Sequence, residues 1–270
     1  MPELPEVETT RRGLAPRLQG RVLTRIEVRD PRLRWPVPVD LEARLAGATL
    51  RALDRRGKYL LFDFGTATQI VHLGMSGSLR LAAAGEAAAR HDHVDWLFDD
   101  GTVLRLHDPR RFGAVLWTTD PAHHPLLAHL GPEPLTPAFD AAYLHQRCRQ
   151  RRSAIKQIIM DAGVVVGVGN IYASEALFHA GIRPGTAGRR LSRPVCTRLV
   201  AAIRHVLEAA ITAGGSSLRD YVASDGAPGY FQLQTAVYGR EGLPCRACAT
   251  PIRRVMQGQR ATFYCPVCQR

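Results

Sequence analysis

From residue 22 to residue 118, apolar and polar positions alternate in short runs. Val22, Thr24, Ile26 and Val28 interleave with Leu23, Arg25, Glu27 and Arg29, which is the two-residue period of a strand. Comparable runs cover 58–64, 69–73, 78–81, 94–98, 103–107 and 114–118. Asp100-Gly101, between two of them, is a hairpin signal. Many short strands with no helix among them predict an antiparallel β-sandwich. The alanine-rich stretch 82–89 reads as a loop. Residues 5–18 instead carry helical spacing, with Leu4, Val7, Leu14 and Leu18 as an approximate stripe. Pro5 suits the first turn, Glu6 and Glu8 lie at the positive end, and Gly20 can stop the helix.

After residue 118 the pattern changes. Six prolines and glycines between Pro121 and Pro137 break it up, and residues 119–150 read as a linker between domains. Helical spacing then covers Ile155–Asp161. The glycine-punctuated turn 164–169 leads to a helix that Asn170 is expected to cap and Gly181 to end. A longer helix runs from Ser192 to Gly214-Gly215, and 216–231 is loop-like. The predicted class is α+β multidomain: a sandwich with a leading helix over 1–131, a helical domain over 132–236 and a small cysteine module over 237–270.

Composition sharpens this picture at three points. Forty-six per cent apolar content is ordinary for a globular chain. No apolar run reaches transmembrane length and no secretory leader opens the chain, so a cytoplasmic location and no membrane partner are expected. A net charge of +12 points to an anionic partner, most often nucleic acid, although a solvated basic surface gives the same sum. Only Lys58 and Lys156 among the 36 basic residues are lysines. Arginine serves phosphate contacts and surface charge as well as lysine does, but it keeps its proton and lacks the compact ammonium. The two lysines therefore mark candidate positions where arginine fails.

The chain opens Met1-Pro2-Glu3. Removal of the initiator methionine would leave Pro2 with an α-amino group of pKa near ~8, partly neutral at physiological pH. A neutral secondary amine adds to an aldehyde-level carbon to give an iminium, and Glu3 is the adjacent carboxyl for acid–base work. On these residues alone, the start of a helix explains Pro2 better than catalysis does. At the other end, Cys245-x2-Cys248 and Cys265-x2-Cys268, sixteen residues apart, have the spacing of a four-thiolate zinc site. Four cysteines leave no open position, so one structural Zn²⁺ is expected. Cys148 and Cys196 read as small buried hydrophobes. Arg240, Arg246, Arg253, Arg254, Arg260 and Arg270 surround the cysteine module against a single acid, Glu241. Arg149, Arg151, Arg152 and Lys156 form a second basic cluster beside the Gly167–Asn170 turn, where helix N–H groups could seat a phosphate. Two further turns, His72–Gly77 and Asp108–Gly113, place Met75 and Phe112 among glycines. Each of these two is a wedge between base pairs or an ordinary core residue.

These segments together resemble the bacterial formamidopyrimidine-DNA glycosylases, repair enzymes for oxidised purines. The resemblance runs end to end: Pro2–Thr9, His72–Gly77, Asp108–Gly113, Gly167–Asn170 and Arg260–Gln269 fall in the family's order. It implies a helix–two-turn–helix fold for the helical domain, a zinc finger at the C-terminus and damaged double-stranded DNA between the halves. It implies that Pro2 attacks C1′ of the damaged nucleotide and that Glu3 protonates the sugar ring oxygen. Lys58 would assist β-elimination. Arg260 would act in δ-elimination, and more readily by clamping phosphate with Asn170, because a guanidinium holds its proton above ~12. His91, Arg110 and Arg151 would contact DNA, Met75, Arg110 and Phe112 would fill the gap left by the extruded base, and Lys156 would lie near the lesion. Residues 216–231 would cover the flipped base. A monomer is expected. Two alternatives remain at this level: an endonuclease VIII-type enzyme for oxidised pyrimidines, and a zinc-finger DNA-binding protein without catalysis.

Overall fold

The computed structural model describes residues 2–83, 85–214 and 235–270. The expected covering loop, 216–231, lies outside them. Helix α1 (Leu4–Leu18) leads into strand β1 (Leu23–Val28), a short helix α2 (Leu41–Leu45), and strands β2 (Ala52–Arg56), β3 (Tyr59–Asp63), β4 (Thr68–His72), β5 (Ser78–Ala82), β6 (Asp92–Phe98), β7 (Val103–His107) and β8 (Ala114–Thr118). The helical part comprises α3 (Ala141–Cys148), α4 (Ile155–Met160), α5 (Asn170–His179) and α6 (Arg193–Thr212). A hairpin, β9 (Arg253–Gln257) and β10 (Arg260–Tyr264), follows.

The strands form two antiparallel four-stranded sheets, in the orders β1-β6-β7-β5 and β2-β3-β4-β8. One apolar cluster joins them: Ile26, Val94, Trp96 and Leu104 from the first sheet, Leu53, Leu60, Phe62 and Val71 from the second, and Val7, Leu14 and Leu18 from α1. Period-two alternation is clean in β3, where Leu60 and Phe62 are buried and Tyr59, Leu61 and Asp63 are not. It fails in β6, because its outer-facing Asp95 is also buried, under Arg29 and Arg105.

Two expectations need correction. Residues 119–150 are not all linker: Ala141–Cys148 is helical, with the Asp140 carboxylate accepting from the Tyr143 N–H at 2.7 Å. The upstream prolines masked a helix only two turns long. Asn170 is not the cap of α5 but its first residue; Gly169, in extended backbone, is the cap. That frees the Asn170 side chain for contacts elsewhere.

The chain falls into two compact units, one that includes Met1–Ala128 and a second built from His129–Thr212 and Leu233–Arg270, which holds the C-terminal finger. The finger thus shares a unit with the helices. Glu175 on α5, 4% exposed, accepts the backbone N–H groups of Ala236, Val237 and Tyr238 at 2.7, 3.1 and 2.8 Å. The buried Gln269 accepts from Cys265 N–H and donates to Ile182 O, both at 2.9 Å. The Arg270 and Arg183 N–H groups reach across to Gly181 O and Arg270 O. The turn of the β9–β10 hairpin also rests on α4, so close that a Cβ on Gly258 would come within 2.8 Å of the Gln157 amide.

Candidate active site and metal centre

Pro2 and Glu3 stand at the head of α1, and both are buried. The helix start is fixed by Glu6, whose carboxylate accepts from the Glu3 N–H at 2.8 Å, the acidic arm of a capping box. One turn on, Glu8 takes three guanidinium groups: Arg12 at 2.8 Å, Arg11 at 2.9 Å and Arg55 of β2 at 3.1 Å. Burial alone would raise the Glu8 pKa, but the arginine hydrogen bonds outweigh it and lower the pKa to about 2. Arg55 then donates to Gly57 O at 2.8 Å. Gly57 and Lys58 form the two-residue turn between β2 and β3, with Gly57 at φ 58°. The helix that carries Pro2 and the turn that carries Lys58 are therefore fastened through one carboxylate and one guanidinium.

Beside Lys58, Tyr59 pairs in register with His72, their rings 4.8 Å apart. The His72 Nδ1 accepts from the Gly74 N–H at 3.1 Å. Burial, and then the positive charges of Lys58 and Arg34, lower its pKa to about 4, so the imidazole is neutral at physiological pH. Its Nε2 then carries the proton, and the ring is a neutral donor.

The turns 72–77 and 108–113 both cross from one sheet to the other. They run side by side because His72 pairs with Ala114 and Ser78 with His107. Asp108, with no exposed surface, binds them together. Its carboxylate accepts from Ser76 Oγ at 2.9 Å and from Gly113 N–H at 2.8 Å. Its own N–H donates to His91 O, and its carbonyl lies 2.9 Å from His93 Nε2. Gly74, at φ 61°, sits so close that a Cβ would fall 2.3 Å from the Phe112 carbonyl carbon. On this base Met75 and Phe112 are about 40% exposed, and the Arg110 guanidinium lies over the Phe112 ring at 4.9 Å. Met75, His91, Arg110 and Phe112 are thus brought together. Asp108, a position with no chemistry of its own in the sequence pattern, is the residue that does it. Its signal in the sequence was an acid directly ahead of Pro109-Arg110-Arg111 in an otherwise basic turn.

In the second unit, Arg260 is exposed at the start of β10. The Asn170 Nδ2 donates to Ala261 O, the next residue along, at 3.0 Å. Arg151 is paired with Asp161 at 3.0 Å. Lys156 is not at a surface: it is 1% exposed, and its ammonium donates to Asn170 Oδ1 at 2.6 Å, Thr262 Oγ1 at 2.8 Å and Ala261 O at 3.3 Å. The Lys156 ammonium, expected near the lesion, is thus turned to protein acceptors.

The four cysteine sulfurs of the finger all lie within 4.8 Å of one another, with Cys248–Cys265 at 3.5 Å and Cys245–Cys268 at 3.9 Å. Four thiolates about 2.3 Å from one zinc in a tetrahedron lie about 3.8 Å apart. The donor set and its spacing therefore fit one structural zinc.

Comparison with known proteins agrees with this division. Residues 1–115 match the formamidopyrimidine-DNA glycosylase N-terminal domain, 130–222 the H2TH domain of the same enzymes, and 242–270 a zinc finger found in FPG and IleRS. The chain is 74% identical to the formamidopyrimidine-DNA glycosylase of Thiobacillus denitrificans and 60% identical to that of Bordetella pertussis, each over the full length of both chains. Among solved structures, it is similar to MutM (Fpg) of Thermus thermophilus, with 42% identity and a TM-score of 0.89 over 99% of this chain and 98% of that one. It is also similar to Lactococcus lactis Fpg in complex with DNA containing an abasic site, with 35% identity and a TM-score of 0.91 over 99% of both.

Proposed function

Because the chain belongs to the formamidopyrimidine-DNA glycosylase family, we propose that it is a base-excision repair enzyme that removes oxidised purines from duplex DNA and then cleaves the abasic strand. The observation that carries the residue assignment is the fastening of the α1 head to the Lys58 turn through Glu8 and Arg55. It gives a terminal amine, ordinarily the loosest group in a chain, a fixed relation to a lysine.

In this reading the target base first leaves the stack, since C1′ of a paired nucleotide is out of reach of an amine fixed in the protein. Met75, Arg110 and Phe112 occupy the vacated space. The Pro2 nitrogen bonds to C1′ as the C1′–N bond of the oxidised base breaks. Glu3 protonates the ring oxygen as the sugar opens, and a cationic iminium forms. That cation acidifies the C2′ hydrogen, and loss of the proton expels the 3′ phosphate. Lys58 serves as the proton-transfer group of this step, and the neutral His72, whose titration its charge affects, adds no charge of its own. A second elimination releases the 5′ phosphate. Asn170 and Arg260 hold phosphates, as do His91 and Arg151. Cys245, Cys248, Cys265 and Cys268 would hold one zinc, which would keep β10, and with it Arg260, in its fold. No helix among the described residues is long and apolar enough to cross a membrane; we take the enzyme to act as a cytoplasmic monomer on the nucleoid.

The test is borohydride trapping. An 8-oxoguanine duplex should yield a covalent adduct on the N-terminal peptide, and an uncleavable N-terminal tag should abolish it. An adduct on Lys58, or full activity with the tag, removes Pro2 from this role. Faster excision of thymine glycol than of 8-oxoguanine would place the enzyme with the endonuclease VIII type.

A further inference from the structure

Resting on that reading, we infer that Lys156 serves the reaction without touching DNA, by fixing which face of the Asn170 carboxamide is presented and by joining it to β10. The ammonium sits where three elements meet: α4, which bears it, the first residue of α5, and β10 of the finger. Among the described residues, its N–H donors have three acceptors in range, Asn170 Oδ1, Thr262 Oγ1 and Ala261 O. Asn170 closes the ring by donating Nδ2–H to the same Ala261 carbonyl.

An ammonium has no acceptor, so it can meet the amide only at its oxygen. The amide oxygen is thereby turned inward, and the amide is presented as an N–H donor. Flipped, it would offer its oxygen to an anionic phosphate, a repulsive contact. Lys156 thus decides the sign of the Asn170 dipole. It also ties that amide to the residue next to Arg260, so the two phosphate donors are set as a pair. Burial of a cation is costly unless its hydrogen bonds are complete, and an apolar side chain of the same length would fill the space without that cost. Three acceptors converging on a single nitrogen suit an ammonium and not the planar fork of a guanidinium. This accounts for the survival of a lysine here in a chain whose other basic residues, Lys58 apart, are all arginine.

The experiment is a double-mutant cycle on equilibrium binding to a duplex with a tetrahydrofuran abasic analogue, using full-length zinc-loaded protein. Lys156→Met and Asn170→Ala should each weaken binding about 10-fold or more. The double variant should bind no more weakly than Asn170→Ala alone, because the lysine acts through the amide. Lys156→Arg should fail to restore parental binding. Multiplicative losses in the double variant, or parental binding by Lys156→Met, would overturn the inference. Should Lys156→Met lose its zinc or its fold, Thr262→Val removes a single acceptor and decides instead. Its binding loss should vanish in the Asn170→Ala background, and a loss that persists there counts against the lysine. Parental protein that does not bind the analogue duplex at all would mean that the proposed function itself is wrong, a separable result.

Discussion

Asp108→Ala should cost unit 1 more stability than any surface change in the same turns. The carboxylate is wholly buried and accepts two hydrogen bonds, from Ser76 Oγ and Gly113 N–H. Hydrogen bonds to a charged group contribute about 1.5–3 kcal/mol each. Removing both and leaving the Gly113 N–H buried without a partner should cost about 3–5 kcal/mol, a large part of the roughly 5–15 kcal/mol typical of a domain. Asp108→Asn keeps the shape. Its oxygen can still take Gly113 N–H, but its NH₂ then faces the Ser76 hydroxyl, which already accepts from Arg110 N–H; the loss should be about 1–2 kcal/mol. All three tryptophans, Trp35, Trp96 and Trp117, lie in this unit, so urea unfolding followed by tryptophan fluorescence reports on it selectively. Base extrusion, read by 2-aminopurine fluorescence next to the lesion, should weaken in the same order. Were Asp108→Ala within about 1 kcal/mol of the parent, with extrusion unchanged, the account of Asp108 as the joint of the two turns would be refuted.

Three further outcomes are expected. His72 should titrate near pH 4 by nitrogen-detected NMR and remain neutral with its proton on Nε2 at pH 7; because its folded pKa lies below the ordinary 6.5, its contribution to stability is complete above pH 6.5 and is lost as pH falls through about 4. A His72 titration at 6 or above would show that neither its burial nor the charges of Lys58 and Arg34 act on it as described. Lys58→Arg should keep the affinity for an abasic analogue but lose about 10-fold or more in cleavage of a preformed abasic site, since a guanidinium does not exchange its proton at neutral pH; parental cleavage would show that charge alone suffices. Cys265→Ser should release the metal, measured by atomic absorption, and weaken DNA binding; retained zinc with unchanged affinity would contradict a structural role for the metal.

The sandwich, the leading helix and the metal centre were legible in the sequence because each rests on local periodicity or spacing. The cysteine pairs need only two knuckles and a hairpin, and β3 alternates because one of its faces is packed. What stayed hidden depends on contacts far apart in sequence. Strand β2 was missed because Arg55 and Arg56 read as polar chain, yet Arg55 is drawn in by Glu8, 47 residues away. Lys156 stood in a basic cluster and, by resemblance, near the lesion, and nothing local reveals that Ala261 and Thr262, more than a hundred residues on, receive its ammonium. Asp108 sat in a recognised motif, but its work is to join two turns, and pairing between segments is absent from a one-dimensional pattern. Met75 and Phe112, taken without context, read first as ordinary core residues; their exposure of about 40% excludes a core position.

The seating of Gly74 against the Phe112 backbone has a mechanical meaning. A wedge parts two stacked bases only as far as it yields less than they do. Loops are ordinarily the most compliant segments of a protein, and a tip on a single loop would bend back before the bases separated. Here two crossing turns bear on each other, so a load on Met75 is shared with Phe112 and passes into β4, β5, β7 and β8 behind them. In the proposed wedge role, the compliance that remains is in the Met75 side chain itself, whose flexible thioether would mould to the base opposite. The result is a stiff shank with a soft edge, and any substitution that adds a Cβ at residue 74 would loosen the shank while leaving the edge intact.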